Sequence, residues 1–435
     1  MDGLYEKLVQ YADSDILQRR LESAIGRIRE GIAILFSHRG KTSSASVNNF
    51  TINDPVQTGC IAKSLTATLV AIALSEKTLR FEDSVIYFFD DYTVTQAVLE
   101  QLSNTKIYNL LNHTHGFDHS RFEILPREGN GFIDVNVMMR LMNETRLFAP
   151  PGMLQSYSSI GPWFVAAILE CVYGQPYHEI LNQKLFHPLG IHNLNENVKI
   201  CPSVGDELRL SAQDMMKIVN LHLHGSPDIP ELFDHLVTLR TKYPSPAVKW
   251  FPVTANIYPG WIDFGGSYGQ LGFGEASAGV VRFLPDQDAA IVVTATHQKL
   301  ANFTLASLFK EVLQDFNSMH QPQLLSAEQW DEVDSSIYEG MFDNGKYRLL
   351  VNTATNGSLR VQVFLKQEGL NTTSKDPYIK RYFKPTANHT FISVQSEQFV
   401  CPILQFSHPQ KNGLFQYINT GKFVFSRIGN VEHSH

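Results

Sequence analysis

The chain has 435 residues, a formal net charge of -7, 43% hydrophobic and 18% charged residues. That length exceeds one ordinary core and predicts two domains, while the balance of apolar and charged residues excludes long disorder. No basic block marks a nucleic-acid face, and the longest apolar runs are too short and interrupted to span a bilayer, so neither nucleic acid nor membrane is an expected partner.

The opening Met1-Asp2-Gly3-Leu4-Tyr5-Glu6-Lys7 lacks the basic-then-apolar layout of a signal peptide. Cys60, Cys171, Cys201 and Cys401 stand far apart without metal-ligand spacing. The expectation is a cytoplasmic, reducing setting, free thiols, no metal and no cofactor. In that setting Asn302-Phe303-Thr304 reads as a chance glycosylation triplet, and Cys171 and Cys201 read as core thiols.

In chain order, the apolar spacing of Leu4, Leu8, Tyr11, Leu17, Leu21, Ile25 and Ile28 predicts a helix over 4–29. Residues 31–36 read as a buried strand, 38–41 as a turn and 43–52 as a second strand. A long apolar helix opens at Gly59-Cys60-Ile61-Ala62-Lys63 and ends near Glu76-Lys77. Residues 107–117 read as a helix stopped by Gly116, 120–147 as mixed helix and loop, and 162–173 as a helix ending at Gly174. Ser211 caps a helix carrying Met215 to Leu223. A loop rich in proline and aromatics is expected over 243–264, then strands over 279–283 and 289–294 around the turn 285–288. A helix over 299–317 closes the first domain, 1–320, and 321–335 reads as a linker. From 336 to 435 the pattern becomes short alternating strands, at 347–352, 359–365, 389–394, 413–418 and 422–427. Tight turns fall at Asn356-Gly357 and Asn419-Thr420-Gly421. This predicts a small antiparallel β domain, barrel or sandwich.

The chemistry concentrates at Cys60 and Lys63. Three residues apart on a helix, thiol and amine share one face. The helix N-terminus and a neighbouring ammonium both favour a thiolate.

Several segments together resemble the serine β-lactamase and penicillin-binding-protein superfamily, most of all its class C-like esterase and transesterase branch. Cys60-Ile61-Ala62-Lys63 stands where that family has Ser-x-x-Lys. Leu110-Leu111-Asn112-His113-Thr114-His115-Gly116 resembles its Leu-Leu-x-His-Thr-Ser-Gly segment, and Tyr157-Ser158-Ser159 its Tyr-x-Asn element. Gly174-Gln175-Pro176-Tyr177 and Phe186-His187-Pro188-Leu189-Gly190 match the scaffold between, and Tyr268-Gly269-Gln270-Leu271-Gly272 the His-x-Gly or Lys-Thr-Gly strand. The resemblance is collinear over the first 320 or so residues. It implies an α+β, β-lactamase-like fold: a five-stranded antiparallel sheet flanked by helices, a mostly helical lobe, and an active site in the cleft between them.

The same resemblance implies roles. Cys60 takes the place of the acylated serine; an ordinary thiol, with a pKa near ~8.5, is a usable nucleophile close to neutral pH. A small apolar cysteine in a site that has lost its chemistry is the other reading. Lys63 would share the Cys60 proton, and Tyr157 would exchange protons with nucleophile and leaving group. Main-chain N–H groups of Cys60 and Phe273 would form the oxyanion hole. Ser159, Gln270 and Gly272, with Trp250 and Trp261 from the aromatic segment, would contact substrate. Ser159 and Gln270 depart from the family's asparagine and its basic residue, which makes lactam antibiotics poor candidates and leaves acyl transfer open. His113 and His115 read as scaffold.

The expected activity is cysteine-dependent acyl transfer in specialised metabolism: a thioesterase, an acyltransferase or an ester or amide hydrolase, with cyclisation open. The substrate would be a small-molecule or carrier-protein-bound acyl thioester or ester. A binding or scaffold protein, and an isomerase or cyclase without a covalent intermediate, remain the alternatives.

Overall fold

A computed structural model describes residues 2–26, 28–117, 128, 131–145, 147–192, 208–246, 248–250, 253–297, 300–308, 335–344, 347–354, 357–365, 376–377, 379–386, 389–393, 403–420 and 424–429. Cys201, Cys401, the far half of the helix expected over 299–317 and nearly all of the expected linker lie outside the described residues.

The chain opens with two helices, α1 (Asp2–Tyr11) and α2 (Ser14–Ile25), in place of one. The break falls at Asp13, whose carboxylate accepts from the N–H groups of Asp15 and Ile16 and so starts a new helix. Strands β1 (Ile32–His38) and β2 (Lys41–Val47) form a hairpin. A two-residue strand β3 (Val56–Gln57) leads to the 3-10 turn Gly59–Ile61 and then α3 (Ala62–Ser75).

The helical lobe continues with α4 (Gln96–Asn104), α5 (Ile107–Leu111), α6 (Val135–Glu144), α7 (Ile160–Tyr173) and α8 (Tyr177–Leu181). Strand β4 (Arg209–Leu210) pairs with β3, and α9 (Ala212–His224) and α10 (Leu232–Thr241) complete the lobe. Ser211 and Asp214 cap α9 reciprocally, and Gly174 ends α7 in the left-handed conformation. Residues Ala62 to Leu74 of α3 are all buried, the mark of a helix at the centre of its lobe. Cys171 departs from expectation. Continuous burial of α7 runs from Ile160 to Glu170, and Cys171 lies one residue beyond it, exposed.

The segment 243–264 is a meander instead of a loop: β5 (Val248–Trp250), β6 (Val253–Tyr258) and β7 (Trp261–Asp263). Its reversal needs Gly260, at φ +80°, where a Cβ would fall 2.4 Å from that of Ala67. The Ser64 hydroxyl donates to the Gly260 carbonyl at 2.6 Å, fastening the meander to α3. Strands β8 (Tyr268–Phe273), β9 (Ala278–Leu284) and β10 (Ala289–Ala295) follow, then α11 (Leu300–Leu308). The antiparallel sheet runs β2-β1-β10-β9-β8-β7-β6-β5. Its first five members are the five strands the resemblance implies, and the meander extends them at the β8 edge.

Strand periodicity sorts side chains between two cores. Ile34, Phe36, Val280, Ile291 and Val293 meet Leu17, Leu21 and Leu305 of the helices on one face. Leu35, Val281, Phe283 and Val292 meet the helical lobe on the other. Burial on both faces explains why β1, β9 and β10 read as nearly continuous apolar runs.

A closed antiparallel barrel follows: β11 (Gly340–Asp343), β12 (Tyr347–Thr353), β13 (Leu359–Leu365), β14 (Ile379–Thr386), β15 (Thr390–Ser393), β16 (Ile403–Pro409), β17 (Phe415–Asn419) and β18 (Val424–Gly429). It resolves the barrel-or-sandwich alternative, and three of its strands, β11, β14 and β16, are additional to the five expected. No helix among the described residues is long and apolar enough to cross a membrane.

Candidate active site

The site is organised by how closely β8 approaches the turn that carries Cys60. Gly59, at φ +50°, has the main-chain nitrogen of Phe273 so near that a Cβ would fall 2.3 Å from it. A Cβ on Gly272 would fall 1.8 Å from the Thr58 carbonyl oxygen. Both glycines are therefore required by contact between backbones, which brings the Phe273 and Cys60 main chains side by side. Gly274 is crowded by a side chain instead, since a Cβ there would fall 2.2 Å from Oε1 and 2.4 Å from Cβ of Gln57.

Cys60 is half-buried and packs, with Leu271, against a small apolar cluster of Tyr157, Ile257, Ile262 and Phe264. Lys63, one helical turn on, is 3% exposed. Its Nζ lies 4.8 Å from the centroid of the Tyr157 ring, within cation–π range. Burial first, then the negative charge of a Cys60 thiolate and the hydrogen bond between the two groups, push the Tyr157 phenol well above its ordinary 10. A phenol so placed keeps its proton. Cys60, Lys63 and Tyr157 are thus brought to one place from chain positions almost a hundred residues apart.

Tyr157 is held from behind by the turn after α5. His113, at φ +61°, accepts the Ser158 N–H at Nδ1, 3.2 Å, and the Ser156 N–H at its carbonyl, 2.9 Å. Its ring centroid lies 4.4 Å from that of Tyr157, the two planes tilted by 41°. His115 accepts the Phe117 N–H at Nδ1, 3.1 Å. Both histidines hold main chain, as scaffold residues do.

Gln270 is buried on β8, and its side-chain oxygen accepts the Leu271 N–H at 3.2 Å. Ser159 is buried at the start of α7, where the Ser158 hydroxyl, not that of Ser159, accepts the Ile160 N–H. Trp250 pairs through its backbone with Val253. Trp261 does not reach the cleft. It is 1% exposed and packs at 4.9 Å against both His222 and Phe283, in the core between the sheet and the lobe. Strand alternation explains the correction, because Ile262, its neighbour, belongs to the cluster that contains Cys60 and Trp261 points the other way.

Two groups were missed. Ile257 and Ile262 form the apolar wall together with Phe264 of the aromatic segment, and the two isoleucines carry no sequence signal beyond strand alternation. Arg282 lies beneath that wall, with its guanidinium 3.5 Å from the Phe264 ring centroid and donating to the Ser267 hydroxyl at 3.3 Å. Burial lowers it to about 9. A charge inside Val280-Val281-Arg282-Phe283 was the signal that could have found it.

A family model described as Beta-lactamase matches residues 17–310. Penicillin-binding protein 4 of Amycolatopsis lactamdurans is 29% identical over 142 residues, which are 33% of this chain and 36% of that protein. The match therefore spans little more than a third of that relative. The solved structure of SurE with D-Leu superposes with a TM-score of 0.72 at 19% identity, covering 95% of this chain and 99% of SurE. The D-stereospecific amidohydrolase from Streptomyces sp. superposes at 0.52 and 15% identity, covering 68% of this chain and 98% of that one. At these identities the likeness to both structures is one of fold.

Proposed function

Because the chain belongs to the Beta-lactamase family, whose relatives here include a penicillin-binding protein and an amidohydrolase, we propose that it is an acyl-transfer enzyme whose nucleophile is Cys60. The observation that carries this is the convergence of the Cys60 thiol, the buried Lys63 ammonium and the Tyr157 hydroxyl.

In the acylation step the Cys60 thiolate attacks the carbonyl carbon of an acyl thioester or ester. A C–S bond forms and the π electrons move to oxygen, where the N–H groups of Cys60 and Phe273 would receive them. Collapse expels the thiolate or alkoxide of the donor, which takes a proton from Tyr157 or Lys63. In the second step water, an alcohol or an amine gives its proton back to that pair and attacks the acyl carbon. The C–S bond breaks and the Cys60 thiolate returns. An internal amine or hydroxyl of the acyl chain would make the same step a cyclisation.

Thioesters are the favoured donors, since exchange of one thiol for another is nearly balanced in energy. Carrier-protein or coenzyme A adducts of specialised metabolism have this chemistry. Gln270, uncharged where the class C-like branch has a basic group, supports substrates lacking a carboxylate at that point. The chemistry resides in residues 1–320, with 336–435 as a second domain.

The test is release of free thiol from a panel of acyl thioesters, D-leucyl thioester among them because SurE was solved with D-Leu. Turnover by the parent chain and its loss in Cys60→Ala are expected. Turnover that survives Cys60→Ala would replace this reading with catalysis lacking a covalent intermediate.

A further inference from the structure

The barrel is filled rather than hollow: Tyr338, Phe342, Phe383, Phe391, Phe406 and Phe425 pack together inside it. One place where its outer face meets the rest of the molecule is β17. Ile418 turns inward to the barrel core, while its neighbours Tyr417 and Asn419 face the segment that precedes Tyr157. The Tyr417 hydroxyl donates to the Phe148 carbonyl at 2.9 Å. The Asn419 side-chain N–H donates to the Gln155 carbonyl at 3.3 Å. The Tyr417 ring also packs with Ala149 and Leu154.

From the other side, the Phe148 N–H donates to Gly116, the Gly152 N–H to Thr114 and the Ser156 N–H to His113, at 2.8 to 3.0 Å. Residues 148–156 form no helix or strand of their own. They are held between the α5 turn and the barrel, and the next residue is Tyr157.

We propose that Tyr417 and Asn419 are positioning residues, through which the barrel sets the Tyr157 hydroxyl against the Cys60 sulfur. The proposal deepens the acyl-transfer reading and rests on it for its purpose. Asn419 acts two residues from Tyr157, and Tyr417 fixes the far end of the same segment.

The test uses the full chain with Tyr417→Phe, Asn419→Ala, and each of these again in a Tyr157→Phe background. Alkylation by iodoacetamide is followed against pH and read at Cys60 by peptide mass spectrometry, since Cys171 is exposed and reacts too. Tyr157 donating to the thiolate lowers the midpoint of that profile. Loosening the clamp therefore moves it up, by roughly half a unit to one unit, or about three- to tenfold less thiolate at fixed pH. In the Tyr157→Phe background neither substitution shifts it further. Tyr417→Phe removes one hydroxyl only, so the test survives if Asn419→Ala does not fold. An unchanged midpoint in the folded Tyr417→Phe variant, or an equal shift with Tyr157 already removed, overturns the proposal. The acyl-transfer reading fails separately, in the parent chain's inertness to thioesters, while the alkylation profile stays measurable.

Discussion

Replacing Gly272 with alanine puts one methyl group between β8 and the turn that presents Cys60. Built on the present backbone, that methyl lies 1.8 Å from the Thr58 carbonyl oxygen. An ordinary carbon–oxygen contact needs roughly 3.4 Å, so strand and turn must separate by about 1.5 Å. The atom in the way is main chain and cannot rotate aside. Overpacking of this kind costs about 1–3 kcal/mol of stability. A displacement of about 1 Å at a reacting centre can cost on the order of a hundredfold in rate. Gly272→Ala is therefore expected to fold, with an unfolding midpoint lowered in urea, and to lose about two orders of magnitude in thioester turnover. A Gly272→Ala variant that turns over within threefold of the parent would refute the argument that this contact sets the site.

Other predictions follow from single residues. Cys60→Ser should retain the parent's melting temperature and lose turnover, measured with the same thioesters; faster turnover by the serine variant would contradict a site tuned to a thiol. Trp261→Ala should cost about 3–5 kcal/mol in urea unfolding with KM little changed, because the indole is core; a large KM effect at unaltered stability would return it to the cleft. His222 is buried with Thr68 at 2.9 Å, and burial, with the Arg240 charge, lowers it to about 3. The folded chain then binds no proton there between pH 6.5 and 3, whereas the unfolded chain does. Stability falls as pH falls through that window, by about 2 kcal/mol at pH 5 relative to neutral pH. His222→Gln should flatten the decline in unfolding free energy, and an unchanged slope would count against it.

Much of the fold could be read locally. β1, β9 and β10 are covered on both faces, so each is a nearly unbroken apolar run, and Ser211 and Gly174 cap their helices by rules of a few residues. The meander over 248–263 was hidden by its prolines and aromatics, which suit a loop as well as edge strands. Trp261 was misplaced for the same reason: without strand register, nothing says which face a side chain takes. The helix break at Asp13 was written in one capping residue inside an otherwise regular pattern. At the site, Cys60, Lys63 and Tyr157 were legible because motif spacing is local. Ile257 and Ile262 of the wall were not, since aliphatic residues look alike until folded. Least legible of all was the bond from Tyr417 to Phe148, which joins positions 269 residues apart.

The acyl group itself is the most direct test of whether Cys60 is the nucleophile. Intact-protein mass spectrometry after brief exposure to an acyl thioester should show one added acyl mass, located at Cys60 by peptide mapping and missing from Cys60→Ala. A parent chain that turns over thioester yet carries no acyl group at Cys60, with the thiol still open to iodoacetamide, would contradict the account.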